Sequence, residues 1–502
     1  MKQQSNVSLR RIAFQFGAIL LFLLVATPTL EAQQKRPSKP RSRKSTKARN
    51  PQPALAFTGE PVQERNVRAH LEFLASDALQ GRASATQFER IAGQYIAAQF
   101  RQFGIEPAGE KDKSGNVTYF QTATLTKRTF AEPPQLSFPG ASTPVTWTHG
   151  KEVVMYQVAD AELSGPFQKL APDATAKAGA FVFLDSKEGA SSQDQYTQVS
   201  TALSQGAKAV LLVIGEREQA MWERFSKQSP ELPPGNAQAP TIIFVEKSAA
   251  ETLRQVADGT LLSIKGKVQA GEVKQTWNVV GCLPGSDPKQ KAEVILLSAH
   301  MDHIGGKYSP DKDTIYNGAD DDASGVAAVL ELARALGNSP RSKRSVYFVC
   351  FGSEEIGGPG ARYFLEHPPV PLKNIVANLE FEMIGRPDPK VGPETLWLTG
   401  FDLSDLGAEL AKQGAHIVMD PHPQEFFFQR SDNYALAKRG VIAHTVSSYG
   451  LHADYHKVSD EIEKIDFPHL TRAIHSMIHP VVWLANGSFV PRWFEGKDPS
   501  QD

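Results

Sequence analysis

Four stretches set the fold: V-I-L-L-S-A-H-M-D-H-I-G at 294–305, Y-N-G-A-D-D-D-A-S-G-V at 316–326, S-V-Y-F-V-C-F-G-S-E-E-I-G-G at 345–358 and N-L-E-F-E-M-I-G-R at 378–386. Three apolar runs of strand length each end in a residue able to hold a metal. His300 follows 294–299, Glu354 and Glu355 follow 346–351, and Glu382 follows 375–379. A tripled aspartate, Asp320, Asp321 and Asp322, opens the helix expected between the first two strands. In α/β sheets the working groups collect beyond the carboxyl ends of the strands, and here each strand delivers a ligand type at that end. A fifth stretch, Y-H-K-V-S-D at 455–460, completes the set with Tyr455 and His456.

Taken singly, each feature has an ordinary explanation. A lone histidine is usually a satisfied core or surface residue, a Glu pair a solvated helix start, and an aspartate cluster an N-cap. Their convergence on one edge of one sheet changes the reading. Imidazole and carboxylate with positions left open for water are the donors of a hydrolytic zinc site. Five ligands suit two metals sharing a carboxylate, and the sixth acidic residue is then free to act as a general base.

Outward from this centre, strands alternate with helices from Trp277 onward, the pattern of a sheet covered on both faces. Val326, Val329, Leu330, Ala333 and Leu336 mark one helix, and further helices are expected at 402–414 and 468–485, with a strand at 441–446. Towards the amino terminus, Val67, Leu71, Leu74 and Ala78 recur at helical spacing, as do Phe88, Ile91, Ala92, Tyr95, Gln99 and Phe103 before Gly104. From 127 to 271 short β-rich runs and two helix patterns carry no His/Asp/Glu cluster, which reads as a smaller inserted α+β, β-rich domain. The domain organisation expected is therefore an N-terminal part of the main domain at 59–126, the insert at 127–271, the main domain at 272–490 and a tail at 491–502.

The 502 residues carry 54 Lys/Arg and 55 Asp/Glu, a net charge of −1. Residues 1–55 hold eleven basic residues and one acid, Glu31, so the remainder has 43 basic against 54 acidic, which argues against a nucleic-acid partner. Lys2, Arg10 and Arg11 ahead of a mostly apolar 12–26, with Leu30-Glu31-Ala32 as cleavage site, read as a signal peptide over 1–32. That implies an exported protein, periplasmic or extracellular; an uncleaved membrane anchor is the alternative. Residues 33–58 read as a basic disordered linker, with weak association to an anionic cell surface as its functional alternative. Cys282 and Cys350 read as buried free thiols, a bridge between them being open at this stage.

Residues 277–485 resemble peptidase family M28, the zinc aminopeptidases and their carboxypeptidase relatives. The resemblance rests on H-x-D at His300–Asp302, G-A-D-D-D-A-S-G at 318–325, E-E at Glu354 and Glu355, the acid before M-I-G at Glu382, and Y-H at Tyr455 and His456. Gly81-Arg82 resembles the N-terminal segment of the same family, and the insert resembles a protease-associated domain. The resemblance implies an α/β fold with a mixed, largely parallel sheet sandwiched by helices, the zinc exopeptidase fold, and two Zn2+ per chain. Asp321 would bridge the ions, with Glu355 and His456 on one and His300 and Glu382 on the other. Glu354 would be the general base, Asp302 would orient His300, and Tyr455 would donate to an oxyanion. It also implies a cis peptide between Asp321 and Asp322. Glu380, His303 and His452 are the alternative ligands. Peptides are the expected substrates, cleaved at the amino terminus. A carboxypeptidase, a glutaminyl cyclase-like enzyme and an inactive receptor-like binding protein are the alternatives. Arg430-Ser431-Asp432 and Phe426–Phe428 precede the last strand and are expected to line a substrate pocket. Oligomeric state is not legible.

Overall fold

The computed structural model describes residues 61–501 apart from 127, 141–142, 172–173, 186–191, 215–221, 223–224, 233–239 and 270. The signal-peptide and linker expectations lie outside the described residues. Among those described, no helix is long and apolar enough to cross a membrane.

The continuous apolar runs form the middle of a mixed nine-stranded sheet. Its order is Glu106–Pro107, Val273–Leu283, Ser345–Phe351, Val294–His300, Ile375–Phe381, Ala443–Ser447, Leu396–Leu398 and Ile417–Met419, and Phe120–Thr126 also pairs with Val273–Leu283. The four central strands run parallel, from Ser345–Phe351 through Val294–His300 and Ile375–Phe381 to Ala443–Ser447. Every residue of Val294–His300 is buried, as expected of a parallel strand covered on both faces. Gly325–Gly337, Glu64–Leu74, Gln87–Gln102 and Phe467–Asn486 cover one face through a shared core that includes Leu71, Ile96, Val329, Leu330, Leu379 and Ile474. Pro359–Glu366 and Asp432–Ala437 cover the other, with Phe364 and Leu436 packed against Val349 and Ala443. The fold is α/β, mixed and largely parallel at its centre.

Phe120–Thr126 and Val273–Leu283 pair through seven antiparallel steps from Phe120↔Val279 to Thr126↔Val273, so the chain leaves and re-enters the sheet at one point. Between them lies an eight-stranded sheet with its own cores, one including Leu136, Phe167, Ile243 and Leu262, the other including Val182, Val199, Leu203 and Phe244. Its two terminal strands, Val145–Thr148 and Val153–Gln157, are consecutive in the chain, and a bridge between His149 and Val153 joins them.

Two expectations shift. The helix after the aspartates begins at Gly325 instead of within them: Asp321 and Asp322 have non-helical torsions, and Asp322 Oδ1 accepts the amide of Gly325 at 3.0 Å. The helix expected at 402–414 is shorter, Leu406–Lys412, because Ser404 and Asp405 are engaged elsewhere. Ser404 Oγ meets the His444 ring and Asp405 accepts the amide of Arg492. Cys282 and Cys350 are free and buried. Their strands are neighbours, but Cys282 faces Tyr347 and Cys350 faces Val279. That offset of three residues is about 10 Å along the strand, beyond disulfide reach.

Candidate active site

Register explains which side chains meet. Pairing of Ser298 with Glu380 carries His300 and Glu382 to the same level at the strand ends. Glu380 sits one pleat behind, fully buried. His300, Asp321 and Glu382 place one ligand atom each within 4.8 Å of one another; His303, Asp321 and Glu355 do the same. Asp321 faces both groups. Its Oδ1 lies 3.1 Å from His300 Nε2 and its Oδ2 3.2 Å from His456 Nε2, which is also 3.0 Å from Glu355 Oε2. The peptide joining Asp321 to Asp322 is cis.

The three remaining expected residues are nearby, in partly different roles. Asp302 Oδ1 lies 3.8 Å from His300 Nδ1, an ion-pair distance that is too long for a hydrogen bond to that ring. It instead accepts the amides of Glu354 at 2.9 Å and Glu355 at 3.3 Å, and the hydroxyl of Ser84. Asp302 thereby holds the turn that carries both glutamates. Glu354 begins that turn, entered through Ser353 with φ 59°. Tyr455 stacks on His456 with ring centroids 3.9 Å apart. Of the alternative ligands, His452 is occupied by Asp320, Nε2 to Oδ2 at 2.8 Å, and by Arg386. His303 is inside the site. Of the pocket residues, Phe427 packs with Trp397, Met383 and Tyr449 beside Tyr455, while Phe428 faces His444 and Trp493 away from it.

The pocket's electrostatics call for added positive charge. Burial pushes Glu354 well above the usual carboxylate range, and neighbouring Asp432, Glu355 and Glu382 add to this against the pull of His300. Burial would lower His456, but Glu355 and Asp321 outweigh it and raise the ring to about 10. Burial likewise opposes protonation of His300, and Asp302 and Asp321 overcome it. Nε2 of His300 and Oδ2 of Asp321 are buried without a hydrogen-bond partner and face one another's side of the pocket. Buried polar atoms are normally satisfied, so these converging orphans fit a bound cation.

Three further residues frame the site, and the sequence reading gave none of them a role in it. Arg82, 1% exposed, donates to the carbonyls of Met301 (3.1 Å), Leu74 (2.8 Å), Gly318 (3.0 Å), Asp321 (3.3 Å) and Asn317. It ties the strand end to the aspartate turn. Asp460 accepts the amides of Asp320 and Asp321, each at 3.1 Å. Glu89 accepts from Thr276 and Ser353 behind the Glu354 turn. No local spacing announces these partners; Arg82 and Asp321 are 239 residues apart.

A mixed sheet delivering imidazole and carboxylate donors from several strand ends defines a metallohydrolase-like centre. Residues 278–481 match the model of peptidase family M28. Aminopeptidase YwaD of Bacillus subtilis (strain 168) is 28% identical over 191 residues, 38% of this chain and 37% of that one. Probable lipoprotein aminopeptidase LpqL of Mycobacterium tuberculosis is 30% identical over 189 residues, 38% of this chain and 33% of that one. The chain thus matches about a third of the length of these curated relatives. The aminopeptidase from Aneurinibacillus sp. strain AM-1 superposes with a TM-score of 0.50 over 86% of this chain and 95% of that one. At 18% identity, that likeness concerns the fold.

Proposed function

We propose that the chain is a zinc-dependent exopeptidase that removes amino-terminal residues from peptides. The observation that carries this reading is the donor spacing around Asp321. Ligands about 2.0–2.1 Å from a tetrahedral zinc lie about 3.3 Å apart. The contacts of Asp321 Oδ1 with His300, of Asp321 Oδ2 with His456, and of His456 with Glu355 are 3.1, 3.2 and 3.0 Å. One carboxylate facing two such groups suits a pair of ions. His300, Asp321 and Glu382 would hold one, and Asp321, Glu355 and His456 the other. Bound there, the ions would supply an acidified water and a field that polarises the scissile carbonyl.

The chain's own residues would do the rest. Glu354, with its carboxyl raised by burial, would take a proton from the attacking water and pass it to the leaving amine. Asp302 would keep that carboxylate aimed by holding the backbone of its turn. The Tyr455 hydroxyl would donate to the oxygen on which charge develops. The relatives named as aminopeptidases support cleavage at the amino terminus. Export is proposed from the basic and apolar order of residues 1–32.

Chelation should abolish hydrolysis of a short free-amine peptide, and zinc should restore it. Glu354→Gln should lower turnover about 10²–10⁴-fold while leaving zinc content as in the wild type. Loss of zinc from that variant would make Glu354 a ligand and overturn its role as base.

A further inference from the structure

His303 is fully buried, yet the roles given to the five ligands and the base do not use it. Its backbone amide donates to the Arg82 carbonyl at 3.2 Å, which fixes the main chain just after the strand end. Gly318, at φ 59°, lies against the ring: a Cβ there would come within 2.6 Å of His303 Cγ and Cδ2. The close approach of a glycine therefore gives the ring its seat. From that seat, Nδ1 lies 2.7 Å from Glu355 Oε1 and 3.8 Å from Asp321 Oδ2.

Two explanations compete for this contact. As a further metal ligand, His303 Nδ1 would stand about 3.3 Å from a neighbouring ligand atom, the edge expected of tetrahedral coordination. As a hydrogen-bond donor to a carboxylate it would stand at about 2.7–2.9 Å. The observed contact has the second length, and it falls on Oε1, whereas His456 approaches Oε2 at 3.0 Å. The two oxygens of Glu355 are thus divided between two imidazoles.

We infer that His303 is a positioning residue: its Nδ1–H holds Oε1 of Glu355 and leaves Oε2 alone to bind metal, which sets the affinity of one of the two metal positions. This rests on the proposed two-metal reading. A carboxylate so fixed meets the ion with its angle already set, and outer partners of this kind are worth about ten- to a hundredfold in metal affinity. The other metal position, at His300 and Glu382, has no such contact with His303 and should be indifferent to it.

Zinc affinity measured by competition with a chromophoric chelator tests this without relying on turnover. His303→Phe fills the seat but has no donor. His303→Asn places an amide N–H where Nδ1 was. Wild type should bind two zinc ions; His303→Phe should weaken one about ten- to a hundredfold and leave the other unchanged; His303→Asn should recover most of the loss. X-ray absorption of the doubly loaded wild type should count two imidazoles per two zinc ions. Wild type that takes up no zinc would overturn the two-metal reading and this role together. Wild type with two zinc ions and His303→Phe matching both affinities would overturn the role of His303 alone. A third imidazole in the absorption spectrum, or no recovery in His303→Asn, would overturn it in favour of direct ligation.

Discussion

The rings of His300, His303, His444 and His456 show how neighbours decide what an imidazole does. His300 and His456 face carboxylates that raise their basicity, in a pocket fit for cations. His444, fully buried on Ala443–Ser447, meets only neutral partners: Nδ1 donates to the Thr399 carbonyl at 2.7 Å and Nε2 accepts from Ser404 Oγ at 2.8 Å. Burial lowers it from 6.5 to about 4. The unfolded chain would take up a proton here as pH falls below about 6.5, while the folded chain resists until about 4. The stability contribution is therefore intact above about 6.5 and is lost as pH falls towards 4, by about 3 kcal/mol in all. Urea unfolding at pH 7.5 and 4.5 should show a smaller acid loss in His444→Asn than in wild type; equal losses would contradict this. At the same scale, the family resemblance implied His300, Asp321, Glu355, Glu382 and His456 as ligands, and the fold brings these five side chains together. The sequence left His303 open because only the third dimension shows which carboxylate oxygen it meets.

At the scale of elements, legibility followed periodicity. Val294–His300 and Ser345–Phe351 stood out because each is a nearly continuous apolar run, and the helix at Gly325–Gly337 because Val326, Val329, Leu330 and Ala333 repeat at helical spacing. The turns between them were opaque, since their shape comes from distant hydrogen bonds. Arg82 is the strongest case, a planar guanidinium shared among carbonyls of three segments of the chain. Arg82→Lys keeps the charge but cannot present the same fork of donors. It should destabilise the fold by about 3 kcal/mol through carbonyls left unsatisfied, and it should weaken zinc uptake. Wild-type stability in urea would show that the contacts contribute nothing.

At the scale of the molecule, helices from 64–102 and residues 278–481 build one core, so the candidate site depends on chain from both sides of the second sheet. The paired ends Thr126 and Val273 explain how a second sheet can sit between them without breaking the first. The texture of the sequence changes at 127 and at 271, but the order of strands within the second sheet was not visible, because pairings such as that of Leu261–Lys265 with Gln135–Phe138 join distant segments and leave no local pattern. The account turns on what the assembled centre does to a peptide end. The most direct measurement is release of the terminal residue from one short peptide by the zinc-loaded chain, first with its amino terminus free and then acetylated. The account predicts cleavage of the free form alone. Equal cleavage of both would contradict it and move the recognised end to the carboxyl terminus or the interior.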